Sequence, residues 1–240
     1  MSGSALDYSL IFTVVIVGAA VQGSIGFGQN LVIVPVVALL LPEALPGTFI
    51  IAGLPLTLAM AAREHAGIDR RGVAWIALGR LPGTVVGVAV VALVSSRLLG
   101  GLAGAAVLLG VAMSVLGGPV RVRPSTALGA GVASGVMGTA AAVDGPPLAL
   151  LYQHHPGPAF RPTLAVCFII GTVMSLTGLL LAREITGAQV LLALALLPAL
   201  GAGYGISRWA HRHLDGRNLR PIVLTVVAVT GLAAVVRAML

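Results

Sequence analysis

Long apolar stretches separated by short polar segments run along the whole chain of 240 residues. A helix needs roughly 20 consecutive apolar residues to cross the hydrocarbon core of a bilayer. Stretches of this kind predict six uninterrupted membrane spans, at 44–62, 73–94, 98–116, 160–182, 187–208 and 218–238. This pattern predicts an all-α polytopic membrane protein.

Two further apolar stretches, 6–41 and 125–153, do not fit a single span because turn-forming residues interrupt them. The interruptions are Gly23, Gly26 and Gly28 in the first stretch, and Gly135, Gly138 and residues 144–147 in the second. We predict that each stretch is a helical hairpin entering and leaving the membrane on one face, with arms of about 13 to 17 residues. The sequence leaves open whether these arms are re-entrant half-helices or thin, tilted spans.

The distribution of arginine favours the hairpins. Cytoplasmic loops of membrane proteins carry an excess of basic residues. With two hairpins, the loops on one side hold 10 arginines and the other side holds 3, which places the N-terminus outside. The loops on the basic side are 63–72, 117–124, 154–161 and 208–220. Each half then has three full spans, and an odd number of spans inverts the second half relative to the first.

A weak internal repeat supports the same division. The pairs Gly23 with Gly135, Gly26 with Gly138 and Pro35 with Pro147 match at an offset of 112, and Pro82 with Pro198 and Gly87 with Gly203 match at 116. The predicted fold is one integral membrane domain of two inverted repeats, 1–117 and 118–240. Each repeat is a Gly-broken helical hairpin plus three transmembrane helices.

Composition excludes the common soluble classes. Only 9% of residues are charged, against about 25% in an average soluble domain, which is too few to coat a soluble surface. Cys167 is the single cysteine, so no internal disulfide can form. The formal net charge is +7, but no basic stripe with interleaved aromatic residues is present, and we expect no nucleic-acid partner.

The hairpin tips, at 23–30 and 135–145, are the candidate binding site. Gly-interrupted segments at corresponding positions of inverted repeats point to a transporter's substrate site. A helix N-terminus offers free N–H groups and a partial positive charge, and glycine lets an anion approach that backbone. The alternative is that these glycines only allow close helix packing. The candidate residues are Gln22, Gly23, Ser24, Gly26, Phe27, Gly28, Gln29, Asn30, Ser134, Gly135, Gly138 and Thr139.

Two charged residues lie inside apolar stretches. Asp144 is the only acid deep within one of them, and an intramembrane carboxylate is by default a functional hypothesis. It is a candidate proton-coupling residue, or the N-cap of the second arm of its hairpin. Arg80 is a candidate substrate-binding residue, a partner for Asp144, or a side chain that snorkels toward the basic face.

The sequence gives little support for other chemistry. Histidines fall in predicted loops without a complete set of metal ligands, so we expect no metal and no cofactor; they are His65, His154, His155, His211 and His213. Catalysis at Ser134 would need a histidine within hydrogen-bond reach, so we predict no catalytic residue and no enzyme. Polar residues inside spans are expected to bond the preceding turn, namely Thr48, Thr163, Thr172, Ser175 and Thr177.

Five short motifs stand out: VQGSIGFG at 21–28, GRLPG at 79–83, GVASGVMGT at 131–139, GPPLALLY at 145–152 and RPTL at 161–164. Together with Pro35, they resemble the signatures of the TauE/SafE family of sulfite exporters. The resemblance covers essentially the whole chain. It implies a multi-pass transporter of the bacterial inner membrane for small sulfur-containing or organic anions, such as sulfite, sulfoacetate and other sulfonates.

The expected function is therefore a secondary transporter, with export as the expected direction. No nucleotide-binding GxxxxGK[ST] motif occurs, so an ion gradient or the substrate's own gradient would drive transport. The expected partners are a small anion and the lipid bilayer, and homo-oligomerisation is left open. A passive anion channel and a membrane subunit without transport of its own are the alternatives.

Overall fold

The computed structural model describes residues 4–63, 66–118, 120–153, 157–213 and 216–239. Within these ranges the chain forms eleven α-helices and no strand. The helices are α1 Ala5–Ile25, α2 Gln29–Leu40, α3 Gly47–Arg63, α4 Arg70–Leu93, α5 Ser96–Leu116, α6 Pro124–Ala141, α7 Gly145–Tyr152, α8 Gly157–Leu181, α9 Gly187–Ala195, α10 Leu197–His213 and α11 Gly216–Met239. A short 3₁₀ turn, Pro42–Ala44, links α2 to α3.

Several described helices suit a bilayer in length and in surface. Five helical stretches are long and apolar enough to cross it: Ala5–Ile25, Arg70–Leu93, Ser96–Leu116, Ala159–Leu181 and Gly187–Arg208. Large apolar side chains lie on their outer surfaces; Leu93 is 85% exposed and Leu181 is 82% exposed. Such surfaces suit lipid better than water. The prediction of an all-helical, multi-pass membrane protein is confirmed.

The first interrupted stretch consists of two helices that pack against each other, α1 and α2. Ser4 caps α1: its hydroxyl accepts from the N–H of Asp7, and the Asp7 carboxylate accepts from the N–H of Ser4. At the tip, Gly26 and Gly28 have φ values of 106° and 105°. Only glycine adopts this backbone region readily. Glycine at both positions therefore allows the chain to leave α1 and enter α2 within three residues.

The second hairpin departs from the predicted register. The break between α6 and α7 lies at 142–144, where Ala142 has a left-handed φ of 57°. Gly135 and Gly138 therefore lie inside α6 rather than at a tip. The left-handed residues that end α1 and α6, Gly26 and Ala142, are 116 positions apart instead of 112. Because alanine occupies this left-handed position, matching glycines to glycines misplaced the second tip.

The hairpin arms are also less uniform than expected. α1 has 21 residues and is long enough to cross a bilayer, whereas α2 has 12, α6 has 18 and α7 has 8. At 1.5 Å per residue, α7 is about 12 Å long, less than half of a bilayer core. The second hairpin thus contains one true half-helix.

The stretch predicted as one span at 187–208 is long and apolar enough to cross a bilayer, but its helix is interrupted and forms two segments, α9 and α10. Its break lies at Leu196, between α9 and α10, and Pro198 is the second residue of α10. Proline lacks an N–H and clashes with the preceding turn of a helix, but it is tolerated in a helix's first turn. The proline therefore accounts for the break.

The histidine predictions need one correction. Helix α10 extends to His213, so His211 and His213 lie in a helix and not in the expected loop. The remaining three histidines, His65, His154 and His155, lie outside the described residues.

Helices from the two halves of the chain pack against each other. α4 lies against α6, α10 against α1, α3 against α8, and α5 against α11. The first arm of each hairpin thus packs on a helix from the opposite half. This crossed arrangement brings both hairpin breaks to the centre of the molecule.

The contact between α4 and α6 is made backbone to backbone. A Cβ on Gly83 of α4 would strike the carbonyl oxygen of Val132 on α6. A Cβ on Gly135 of α6 would lie 2.9 Å from the carbonyl oxygen of Arg80 on α4. Small residues let membrane helices approach in this way. Gly135 therefore serves helix packing, the alternative considered for the tip glycines.

The C-terminal end of α7 is anchored to α4. The Tyr152 hydroxyl donates to Asp69 Oδ2 at 2.8 Å. Asp69 is the N-cap of α4, where its Oδ1 accepts from the N–H of Gly72 at 2.9 Å. The C-terminal end of α7 is therefore fixed to the start of α4.

Two glycines on α6 offer a matched test of the backbone contact between α4 and α6, which we call the seam. A Cβ on Gly131 would clash with the carbonyl of Ile76, whereas a Cβ on Gly129 meets nothing within 4 Å. Gly131→Ala should lower stability by about 1–3 kcal/mol because the helices must move apart. Gly129→Ala should be neutral or stabilising by up to about 1 kcal/mol, since alanine favours helix. Thermal unfolding in detergent measures both, and equal effects would contradict the backbone contact.

Candidate functional site

A cavity of about 40 Å³ lies where the two hairpin tips meet α3, α4 and α8. This volume suits a few water molecules or one small anion, since a single water needs about 10–15 Å³ by the same measure. It is lined by Gln22, Gln29 and Asn30 of the first hairpin, Gly138, Ala142 and Asp144 of the second, Phe49, Ile50, Gly53 and Thr57 of α3, Arg80 of α4, and Phe168, Thr172 and Ser175 of α8.

A buried ion pair forms one wall of the cavity. Arg80 Nη2 lies 3.1 Å from Asp144 Oδ2, and Arg80 Nη1 donates to the Ser134 hydroxyl at 2.8 Å. That hydroxyl in turn donates to the backbone carbonyl of Asp144 at 3.0 Å. Arg80 is 1% exposed, so it does not snorkel to a surface. It reaches across from α4 and holds the start of α7.

Glycines make room for the guanidinium on two sides. A Cβ on Gly171 of α8 would collide with Arg80 Cζ. A Cβ on Gly138 of α6 would lie 2.7 Å from Arg80 Nη2 and 2.6 Å from Asp144 Cβ. Both distances are shorter than real carbon contacts allow. Gly138 thus has a direct role at the cavity, although it lies within a helix and not at a tip.

The Asp144 side chain does not cap α7. Asp144 occupies the N-cap position, but its backbone is helical and its carboxylate makes no cap hydrogen bond. The next residues, Gly145-Pro146-Pro147, explain this, since neither proline has an N–H to be capped. The carboxylate turns to Arg80 instead. The same prolines remove N–H donors from the helix end that the sequence predicted as an anion site.

Amide side chains join the two tips. Gln22 Oε1 accepts from the N–H of Gln29 at 3.3 Å, and Gln29 Nε2 donates to Asn30 Oδ1 at 3.3 Å. Asn30 Nδ2 then donates to the carbonyl of Ala142, at the end of α6, at 2.7 Å. The last bond crosses from the first hairpin to the second. The polar residues of the first tip therefore satisfy broken backbone, and they also face the cavity.

A second arginine braces the first tip. Arg161 of α8 donates through Nη2 to the carbonyl of Gly23 at 3.0 Å and through Nη1 to that of Ser24 at 3.3 Å. The last carbonyls of a helix have no partner within it. Arg161 thus supplies partners to the end of α1 and offsets the negative charge of that helix terminus.

Two buried polar atoms of cavity residues have no hydrogen-bond partner in the described part of the chain. They are Arg80 Nε, a donor, and Gln29 Oε1, an acceptor. Buried polar atoms in native proteins are nearly always paired, so each unpaired one requires an explanation. A guanidinium N–H without an acceptor is suited to an oxygen of an oxyanion.

The chain matches the family model for the sulfite exporter TauE/SafE over residues 10–234. It belongs to the TauE/SafE family. Comparisons with curated proteins and with solved structures give no match. The motif resemblance is confirmed, and family membership makes this chain a multi-pass membrane transporter of the sulfite-exporter type.

Six of the residues selected from the sequence of this TauE/SafE protein line the cavity: Gln22, Gln29, Asn30, Arg80, Gly138 and Asp144. Ser134 lies behind them, between Arg80 and the Asp144 backbone. Thr139 shares a hydrogen bond of 2.7 Å with Ser175, which itself lines the cavity. The structure thus gathers residues from 22–30, 80 and 134–144 around one small volume.

The other selected residues lie outside the cavity wall. Gly23 packs closely on Ser207 of α10, and the Ser24 hydroxyl donates to the carbonyl of Ala20 at 2.8 Å. Phe27 makes an edge-to-face contact with Phe160, with ring centroids 6.3 Å apart. Gly26, Gly28 and Gly135 have the backbone and packing roles described above.

Residues of α3 and α8 were not selected from the sequence. On α8, Thr172 and Ser175 line the cavity one turn apart. The signal was present, because both are polar residues inside an apolar span, but they were expected to bond the preceding turn. That expectation is wrong for Ser175, which pairs with Thr139.

Two other span residues also correct that expectation, since they form bonds between helices. The Thr48 hydroxyl donates to the Gln189 carbonyl at 3.3 Å, and Thr163 Oγ1 accepts from the N–H of Asp69 at 3.0 Å. Thr57, by contrast, donates to carbonyls of its own preceding turn, at Gly53 and Leu54.

The cavity wall carries polar groups that can form hydrogen bonds. The described residues contain no group of three histidine, cysteine or acidic side chains that could hold a metal ion. The Ser134 hydroxyl donates to a backbone carbonyl and accepts from Arg80. The wall holds a guanidinium, amide groups and hydroxyls, which can donate hydrogen bonds to an oxyanion, and the Asp144 carboxylate, which cannot while it is ionised.

We expect the ion pair to show strong coupling in stability. Arg80→Met should destabilise the protein by about 3–5 kcal/mol, because it leaves the Asp144 carboxylate buried without its partner. The double variant Arg80→Met/Asp144→Asn should recover much of that loss, since it removes both charges. Thermal unfolding of purified variants in detergent checks this. A double variant no more stable than Arg80→Met would contradict the pairing.

Proposed function

We propose that the protein is a secondary transporter that exports small sulfur-containing or organic anions, such as sulfite or sulfoacetate, and that the anion binds in the central cavity beside Arg80. One observation carries this proposal: in a membrane protein of the sulfite-exporter family, a buried arginine lines a small cavity, and its Nε has no hydrogen-bond partner among the described residues. A charge inside a membrane protein is costly and marks a substrate or ion pathway by default.

The size of the cavity and the hydrogen-bond donors at its wall support a small oxyanion as the substrate. The cavity of about 40 Å³ has room for a few heavy atoms. Arg80 supplies charge, and the hydroxyls of Thr172 and Ser175 on α8 and the amides of Gln29 and Asn30 can complete the hydrogen bonds. A planar guanidinium recognises oxyanions through paired N–H groups. A cationic, hydrogen-bonding site of this size supports a small oxyanion such as sulfite, whereas the larger sulfoacetate would require the cavity to widen.

The electrostatics of the tips favour the first hairpin as the anion's helix terminus. The N-terminus of α2 retains backbone N–H groups at Asn30 and Leu31, whereas Pro146 and Pro147 at the start of α7 have none. Arg161 offsets the negative end of α1 in the same tip. Both features add positive charge at this tip.

We propose the inverted-repeat architecture on the helix pairing. Contacts of α1 with α10 and of α6 with α4 exchange with each other if the two halves, 1–117 and 118–240, are related by a two-fold axis. The pairs α3 with α8 and α5 with α11 map onto themselves. Rocking one half against the other would open the cavity to each side of the bacterial inner membrane in turn.

Flux into proteoliposomes tests the function. The purified protein would be offered sulfite, sulfate, sulfoacetate, a simple carboxylate and taurine, each with and without a pH gradient. We expect saturable flux of sulfite or sulfoacetate and little flux of taurine, whose ammonium group would face Arg80. Linear flux indifferent to the pH gradient would indicate a passive channel, and no flux of any anion would favour a subunit that does not transport alone.

A pair of glycines on α6 tests the location of the site. Gly138→Leu would push a side chain into Arg80 and Asp144, and should abolish flux while the protein still inserts in the membrane. Gly129→Leu, about two and a half turns earlier on an open face of the same helix, should leave flux within about twofold of wild type. Membrane insertion is checked by detergent extraction and size exclusion. Normal flux in Gly138→Leu would move the site elsewhere.

A further inference from the structure

We infer that Asp144 is the internal competitor of the transported anion: its carboxylate occupies Arg80 in the arrangement seen here and yields that place, by taking up a proton, when an anion binds. This inference rests on the proposed function, and it assigns the proton as the co-transported ion. It also assigns Asp144 a role that changes during each cycle.

The hydrogen bonds of Arg80 identify the group that competes with an anion for its guanidinium. Arg80 Nη1 is engaged by Ser134, and Nη2 by Asp144. Ser134 cannot leave easily, because it also holds the Asp144 backbone. An oxyanion that takes the Nη2 N–H now donated to Asp144, rather than the unpartnered Nε N–H alone, would replace the Asp144 carboxylate there. The Asp144 side chain is 24% exposed and lines the cavity, whereas the Arg80 side chain is 2% exposed.

The net charge of the cavity gives the reason for proton uptake by Asp144. The pair of Arg80 and Asp144 has no net charge, and an incoming anion would leave the cavity with an excess negative charge. Burying an uncompensated charge is strongly unfavourable in a membrane protein. A proton bound to a carboxylate oxygen of Asp144 restores neutrality. The guanidinium N–H then donates to the anion, and each singly charged anion carries one proton with it.

The surroundings leave few other groups to take this proton. Arg80 on α4 faces Asp144 directly, and Cys167 on α8 is a buried free thiol. The cavity residues on α2, α3 and α6 are amides, hydroxyls, glycine and apolar side chains. Asp144 is the one carboxylate among the described residues of the cavity wall.

Release of Asp144 would also change what holds α7. In the present arrangement, Arg80 fixes the N-terminal end of α7 to α4. The hydrogen bond from Tyr152 to Asp69 fixes the C-terminal end of α7 to the start of α4. A protonated Asp144 no longer forms an ion pair, so one of these two attachments weakens when the anion arrives. Anion binding would thereby loosen the half-helix at the cavity.

Sulfite binding to wild type and Asp144→Asn, measured over a range of pH, tests the competition. Sulfite itself titrates in this range, but the ratio of the two affinities cancels that contribution. We expect Asp144→Asn to bind sulfite more tightly at neutral pH. Relative to Asp144→Asn, wild-type affinity should fall about tenfold for each unit of pH increase while Asp144 is ionised, the slope that one bound proton gives. Asp7→Asn, at the exposed start of α1, is the matched control and should follow wild type.

Infrared difference spectroscopy gives a second readout, in which the main observation is made on the wild-type protein and Asp144→Asn serves as the control. Addition of sulfite at constant pH should produce the carbonyl stretch of a newly protonated carboxylic acid, and Asp144→Asn should lack it. If wild type neither binds nor transports sulfite or sulfoacetate, the proposed function itself fails. If wild type binds sulfite but the affinity ratio is constant with pH, or no carboxylic acid band appears, the competition is overturned while the anion site stands.

Discussion

A guanidinium and a carboxylate inside an apolar protein must satisfy each other, and much of the centre of this molecule is arranged around that requirement. Arg80 can reach Asp144 only because Gly138 and Gly171 leave space for its head group. Ser134 fixes both partners at once. Replacing such a pair by apolar residues is often neutral for stability. Retaining it at a cavity, where it costs desolvation, is more readily understood as a feature of function than of folding.

The glycine-rich composition is explained by close approach more than by flexible turns. Gly26 and Gly28 at the first tip, and Gly67 before α4, have the positive φ that glycine adopts readily. Along α4 and α6, glycines instead let two backbones touch, which brings Arg80 near the break of the second hairpin. Packing of this kind substitutes for the hydrophobic effect, which gives no drive for helix association within lipid. The seam therefore positions the site as well as joining the helices.

The long apolar stretches and their glycines predicted the helical class and the two interrupted stretches. The charged residues inside apolar stretches predicted a pair of Arg80 with Asp144 as one alternative. Three features could not be predicted from the sequence. Ala142 ends α6 in a left-handed turn that no glycine marks, so the second tip was placed too early. The carboxylate of Asp144 turned away from its cap position because two prolines leave no N–H to cap. Arg161 and the α8 hydroxyls lie far along the chain from the tips, and tertiary packing alone brings them there.

The two arginines cross between the halves of the chain. Arg80, from the first half, holds the break of the second hairpin, and Arg161, from the second half, holds the break of the first. Neither half therefore carries its own brace, and a chain of half this length would leave its broken helix ends without partners. Each hairpin break therefore keeps its bracing arginine only while both halves are present, and a single chain holds the two halves at a one-to-one ratio.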